Sequence, residues 1–118
     1  MSTPSYQELT RDISRNLTGL RTHNADVMQG FGALSKAALA PGALDEKTKE
    51  LIAMAIGVAS RCDDCLGFHA KALVRLGATP DEFRDMLGVA VYMGGGPSLM
   101  YAANALAAYE EFSQSAKA

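Results

Sequence analysis

Apolar residues recur along this chain at intervals of three and four, the spacing that lines one side of a helix. Leu9, Ile13, Leu17 and Leu20 open the series, behind Ser5 and Glu8, which read as a capping box. Gly19 is expected to close this first helix. A second is predicted from about Asn24, with Val27, Met28, Phe31, Leu34 and Ala38 on one face and Pro41-Gly42 as the turn that ends it. Asp45 is the expected N-cap of a third, which runs to about Ala59 and carries Leu51, Ile52, Ala55, Ile56 and Val58. That segment is apolar around most of its girth, which predicts a central place in the core. A fourth helix begins near Cys62 and ends at Gly77.

Thr79-Pro80-Asp81-Glu82 is the clearest helix start, joining a capping box to a proline at the first helical position. Phe83, Met86, Leu87, Ala90 and Val91 are the expected buried stripe of that fifth helix. Gly94-Gly95-Gly96-Pro97 breaks it, and a last, Ala-rich helix is predicted to about Phe112, with Ser113 to Ala118 frayed. No window alternates with period two, so the expected fold is an all-α bundle of about six helices without a sheet. Its 118 residues suit a single domain spanning 1–118.

Composition narrows the partners. Hydrophobic residues make up 48%, charged residues 20% and aromatics 7%, an ordinary globular mix whose core must rely on aliphatic side chains and Met. A net charge of −2, with 11 Lys and Arg scattered along the chain, gives no reason to expect nucleic acid or an anionic membrane. No stretch approaches the ~20 apolar residues of a membrane span, and Met1-Ser2-Thr3-Pro4-Ser5 lacks the basic and apolar regions of a signal peptide. Two cysteines three positions apart cannot staple a secreted scaffold, so a cytoplasmic setting is expected. Six short helices also leave much apolar surface for one copy to cover, which points to a homo-oligomer.

The candidate chemistry lies in Arg61-Cys62-Asp63-Asp64-Cys65-Leu66-Gly67-Phe68-His69. On a helix Cys65 and His69 share a face, and that face continues through Ala72, Leu73 and Leu76, the expected buried stripe. Cys62 falls one turn earlier, at the helix start, where it should meet more solvent. A thiolate is the reactive form of cysteine, and a helix N-terminus or an imidazolium lowers a thiol's pKa from about 8.5. A sulfenic acid on one cysteine can be captured by the other as a disulfide. This suggests a sheltered Cys65 as the attacking thiol and Cys62 as the resolving one. Glu50, one helix earlier, is a candidate to orient the imidazole, although a glutamate in the first turns of a helix commonly just faces water.

Other readings of the same residues stay open. The cysteines could simply pack as small hydrophobes. They could also form half a zinc site with His69, completed by His23 or Glu50, although a second ligand pair is absent. Redox chemistry ranks first, inert packing second and zinc third. His23 reads as a surface or capping residue. Tyr92, Met93 and the glycines after them could line a pocket or simply form a break, and that run lacks the Lys-Ser/Thr of a phosphate loop.

The run Asp45-Glu46-Lys47-Thr48-Lys49-Glu50-Leu51-Ile52-Ala53-Met54-Ala55, then Cys62-x-x-Cys65-x-x-x-His69, then Gly77-Ala78-Thr79-Pro80-Asp81-Glu82 resembles the alkylhydroperoxidase D core of the carboxymuconolactone decarboxylase-like superfamily. The likeness covers roughly Leu44 to Ala107, and a glutamate twelve residues before C-x-x-C-x-x-x-H is its specific element. It implies an all-helical fold, trimers or hexamers, and peroxide reduction without a bound metal or organic cofactor. It also implies a partner dithiol, protein or small molecule, as the reductant. By this resemblance Cys65 is the peroxidatic nucleophile, Cys62 the resolving thiol, His69 the base for Cys65, and Glu50 the residue that completes the proton relay. One departure stands out. Better-known members carry a histidine directly before the nucleophilic cysteine, where this chain has Asp64. Asp63 and Asp64 suit the helix dipole but disfavour a neighbouring thiolate, and Arg61 offsets part of that.

Three functions are therefore weighed: a thiol peroxidase or disulfide oxidoreductase, a decarboxylase-like lyase that needs no cysteine pair, and a non-catalytic oligomer whose cysteines sense oxidation.

Overall fold

The structure, a computed structural model, describes residues 5–117. Six helices follow one another: α1 (Tyr6–His23), α2 (Ala25–Leu39), α3 (Glu46–Ala59), α4 (Asp63–Arg75), α5 (Pro80–Gly94) and α6 (Gly96–Lys117). No strand occurs among the described residues, so the all-α expectation holds.

The helix starts follow local chemistry. The Asp45 carboxylate accepts the Thr48 N–H at 2.8 Å. Thr79 Oγ1 accepts the Glu82 N–H at 3.1 Å, and the Glu82 carboxylate accepts the Thr79 N–H at 2.8 Å, a complete capping box. Ser5 Oγ accepts the Glu8 N–H at 3.3 Å, but the rest of the first turn of α1 is capped from α6. There the Glu111 carboxylate accepts the Ser5 hydroxyl at 2.9 Å, the Tyr6 N–H at 3.0 Å and the Gln7 N–H at 2.7 Å.

The core collects Met54 and Val58 of α3, Leu66, Ala70 and Leu73 of α4, Phe83 and Leu87 of α5, and Ala105, Ala108 and Phe112 of α6. Alanines at α6 positions 102, 105 and 108 let it lie close along α4, and these two form the most extensive helix pair. Phe83 stacks on Tyr109 with ring centroids 4.5 Å apart, and the Tyr109 hydroxyl donates to the Ala78 carbonyl at 2.7 Å. The one polar group of this aromatic pair is thus satisfied inside the core.

Several expectations need correction. Gly19 does not close α1, which runs on to His23 and ends with the Asn24 N–H on the Leu20 carbonyl at 2.7 Å. Glycine weakens a helix interior by only about 1 kcal/mol and takes no positive φ here, so nothing forces a stop. The last helix does not fray at Ser113. It stays helical to Lys117, because buried Phe112 anchors it and Gln7 of α1 hydrogen-bonds Ser115.

The third helix is central on one side only. Glu50, Met54, Gly57 and Val58 are buried, whereas Ile52 and Ile56 stay exposed, the latter at 61%. Helix α2 has no buried residue at all, and its apolar face of Val27, Phe31 and Leu34 is open, Phe31 at 66%. It packs only on α1 and α3, and nothing among the described residues covers that face.

Candidate active site

Helices α3 and α4 form an antiparallel pair that fixes every candidate residue. The turn between them is a Schellman motif, with the Cys62 N–H on the Gly57 carbonyl at 3.0 Å and the Arg61 N–H on the Val58 carbonyl at 3.2 Å. Arg61 holds the left-handed position at φ 59°, the only non-glycine residue among those described to do so. The corresponding place after α4 is taken by Gly77, at φ 79°. This turn sets Cys62 at the N-cap of α4, where its Sγ accepts the Cys65 N–H at 3.2 Å.

A disulfide joins Cys62 to Cys65, whose Cα atoms are 5.2 Å apart. Gly57 lies directly opposite; a Cβ there would touch Cys65 Cβ at 3.4 Å. One helical turn beyond, His69 Nδ1 lies 2.6 Å from Glu50 Oε2. Glu50 is only 4% exposed and His69 is half-buried, so the carboxylate sits behind the ring and the ring toward the surface. With the carboxylate as acceptor, Nδ1 carries the proton and Nε2 keeps the free lone pair. The four residues thus form two bonded pairs on adjacent turns, Cys62 with Cys65 and His69 with Glu50.

One detail departs from the helical-face expectation. Of the expected stripe, Cys65, His69, Ala72, Leu73 and Leu76, only Leu73 is fully buried; the buried face of α4 is Leu66, Gly67, Ala70 and Leu73. Both sulfurs and the imidazole therefore lie along its margin. Cys65 and Cys62 are both half-buried, so neither is fully sheltered. Packing against α3 and α6 chooses the face, and the disulfide and the imidazole are left partly open to solvent.

Other candidates lie outside this cluster. His23 is the exposed last residue of α1. Tyr92 and Met93 are exposed, Tyr92 at 83%, and of the glycines that follow Gly94 ends α5, Gly96 begins α6 and Gly95 alone lies between them, at φ 77°. No three His, Cys, Asp or Glu side chains converge as a metal site would require among the described residues. A cavity of about 400 Å³ between α1, α4 and α6, walled in part by Arg11, Lys71 and Phe112, includes none of the four candidate residues. One neighbour was not visible in the sequence: the Tyr6 hydroxyl of α1 donates to Asp63 Oδ1 at 3.2 Å, directly after Cys62. No spacing rule announces a contact between residues 57 positions apart.

The profile of the carboxymuconolactone decarboxylase family matches residues 25–108, which hold α2 to α5, the disulfide and most of α6. The chain belongs to the carboxymuconolactone decarboxylase family. Among solved members, a family protein from Legionella pneumophila is 56% identical with a TM-score of 0.89, the match covering 92% of this chain and 96% of that one. A family protein from Thermotoga maritima, for which a part in the antioxidative response has been suggested, is 30% identical with a TM-score of 0.82 over 92% of each chain. An uncharacterized protein of Cupriavidus necator is 38% identical over 110 residues, 93% of this chain and 96% of its own length. The alkylhydroperoxidase D resemblance read from the motif falls within this carboxymuconolactone decarboxylase family.

Proposed function

We propose that the protein is a thiol-dependent peroxidase and disulfide oxidoreductase that reduces hydroperoxides at Cys65 and Cys62. The observation that supports this most directly is the imidazole of His69, bonded to a buried carboxylate one turn from the paired sulfurs. In the reduced protein, Nε2 of His69 takes the proton of Cys65, and the thiolate attacks the terminal oxygen of the hydroperoxide. The O–O bond breaks, the alcohol leaves with the proton returned by His69, and Cys65 becomes a sulfenic acid. Cys62 then attacks that sulfur, water leaves, and the disulfide forms. A dithiol, on a protein or a small molecule, exchanges with the disulfide, is itself oxidised, and restores both thiols.

The cycle uses no metal or organic cofactor. Glu50 keeps His69 in the tautomer and orientation the relay needs. We place the protein in the cytoplasm as a trimer or hexamer; the open apolar faces of α2 and α3 support such self-association. Among the described residues no helix is long and apolar enough to cross a membrane.

The test is one equivalent of hydroperoxide added to the reduced protein. Two thiols should be consumed per peroxide, with the new bond mapped to Cys62–Cys65 by mass spectrometry, and dithiol donors should sustain turnover. Cys65→Ser should lose rapid peroxide consumption. A parent-like rate in that variant overturns the assignment of roles, and a stable disulfide with no turnover by any dithiol makes the protein a sensor rather than an enzyme. A lyase activity would survive replacement of both cysteines.

A further inference from the structure

Helix α1 reaches the redox turn through one side chain. Tyr6 is buried at the start of α1, and its hydroxyl donates to the carboxylate of Asp63. Asp63 is the first residue of α4, next to the N-cap sulfur of Cys62. A carboxylate there opposes a thiolate, whereas the helix N-terminus and the guanidinium of Arg61 favour one. A phenol that donates to the carboxylate draws off part of its charge and fixes where it points.

Tyr6 is firmly held for this task. Its N–H donates to Glu111, its carbonyl accepts Thr10 Oγ1 at 2.9 Å, and its ring lies over Gly67. Burial, reinforced by the charge and hydrogen bond of Asp63, pushes the phenol's ionisation above its ordinary range. It therefore stays a proton donor at every pH where thiols titrate.

We propose that Tyr6 is a positioning residue of the redox turn, restraining Asp63 so that Cys62 keeps surroundings that favour its thiolate. The proposal rests on the reading that these thiols react, but it is measured by thiol ionisation and not by peroxide turnover. The charged and titratable groups about this contact are Arg61, Asp63, Asp64 and His69 on the segment of Cys62, Glu50 of α3 bonded to His69, and Tyr101 and Glu111 of α6, which act on Tyr6. Only the Tyr6–Asp63 contact is altered by removing one hydroxyl.

The experiment uses the full chain, reduced, with Cys65→Ser so that Cys62 is the only thiol. The pH dependence of its alkylation by iodoacetamide reports its pKa. Tyr6→Phe should raise that pKa by about half a unit, roughly a threefold loss of thiolate at neutral pH. Asp63→Asn should lower it, and in the Asp63→Asn background Tyr6→Phe should have no further effect. An unchanged titration in Tyr6→Phe, or the same upward shift without the Asp63 carboxylate, overturns the proposal. If Tyr6→Phe melts below the assay temperature, Asp63→Asn alone decides, and an unmoved pKa there is equally fatal. A Tyr6→Phe shift in a protein that fails to reduce peroxide would sink only the peroxidase reading. Peroxide turnover with no shift would sink only this proposal.

Discussion

Gly67 sits where α1 crosses α4, and the structure gives the cost of adding one methyl group there. A Cβ at that position would stand 2.6 Å from Thr10 Cγ2, but at ordinary contact, 3.5 and 3.7 Å, from Tyr6 Cδ1 and the Tyr6 carbonyl. Carbon atoms pack best at about 3.5–4.0 Å, so Gly67→Ala requires Thr10 to yield by about 1 Å or rotate. Rotation swaps its methyl and hydroxyl and breaks the bonds from Thr10 Oγ1 to the carbonyls of Tyr6 and Gln7, at 2.9 and 3.1 Å. Overpacking of this kind costs about 1–3 kcal/mol. Replacing a glycine inside a helix by alanine returns about 1 kcal/mol, so steric cost should win by about 1 kcal/mol. Thr10→Ser removes the offending carbon and keeps the hydroxyl. In that background Gly67→Ala should stabilise, and the change of sign is the test. Thermal and urea melts of the four proteins measure it, with about 4 °C expected per kcal/mol for a domain of this size. Equal destabilisation in both backgrounds would refute the steric account.

Two further predictions concern the site and its turn. Glu50→Gln preserves the shape of the bond to His69 but removes the charge that stabilises the imidazolium formed during proton transfer. A charge-assisted bond contributes ~1.5–3 kcal/mol, so the reaction of reduced protein with peroxide should slow about 10- to 100-fold. Stopped-flow peroxide kinetics decide this, and a parent-like rate removes Glu50 from the relay. Arg61→Gly relieves a left-handed backbone that costs a side chain about 1 kcal/mol, so the melting temperature should rise by a few degrees. A fall would mean that the Arg61 side chain holds the turn by contacts that outweigh the strain.

What could be read from the sequence was what is local. Asp45 and Thr79 announce their helices because a capping side chain bonds its own N3 amide, three residues on. The C-x-x-C spacing similarly fixes two sulfurs on one turn. Glu50 and His69 lie on different helices, 19 positions apart; their chemistry made Glu50 a candidate partner, and the family-like pattern around them raised that candidate. The end of α3 near Ala59 was also legible, but not the Schellman turn beyond it, since the left-handed position usually signalled by glycine is filled by Arg61. The α4 face was legible at Leu73 but not nearer the helix start, where Cys65 and His69 were expected to point inward and packing selects Leu66 and Ala70. Glu111 on α1 and Tyr6 on Asp63 are bonds between distant segments, and nothing in the local pattern encodes them.

The carboxylate of Glu111 has a consequence for how this protein comes apart. Residues 5–7 are gripped by residues 111 and 115, so the two described ends of the chain clasp each other. Peeling away either end breaks these shared bonds, so loosening one weakens the hold on the other. The same proximity means that a short peptide could join residue 5 to residue 117 in a ring, with a fresh opening cut at the exposed turn near Gly42.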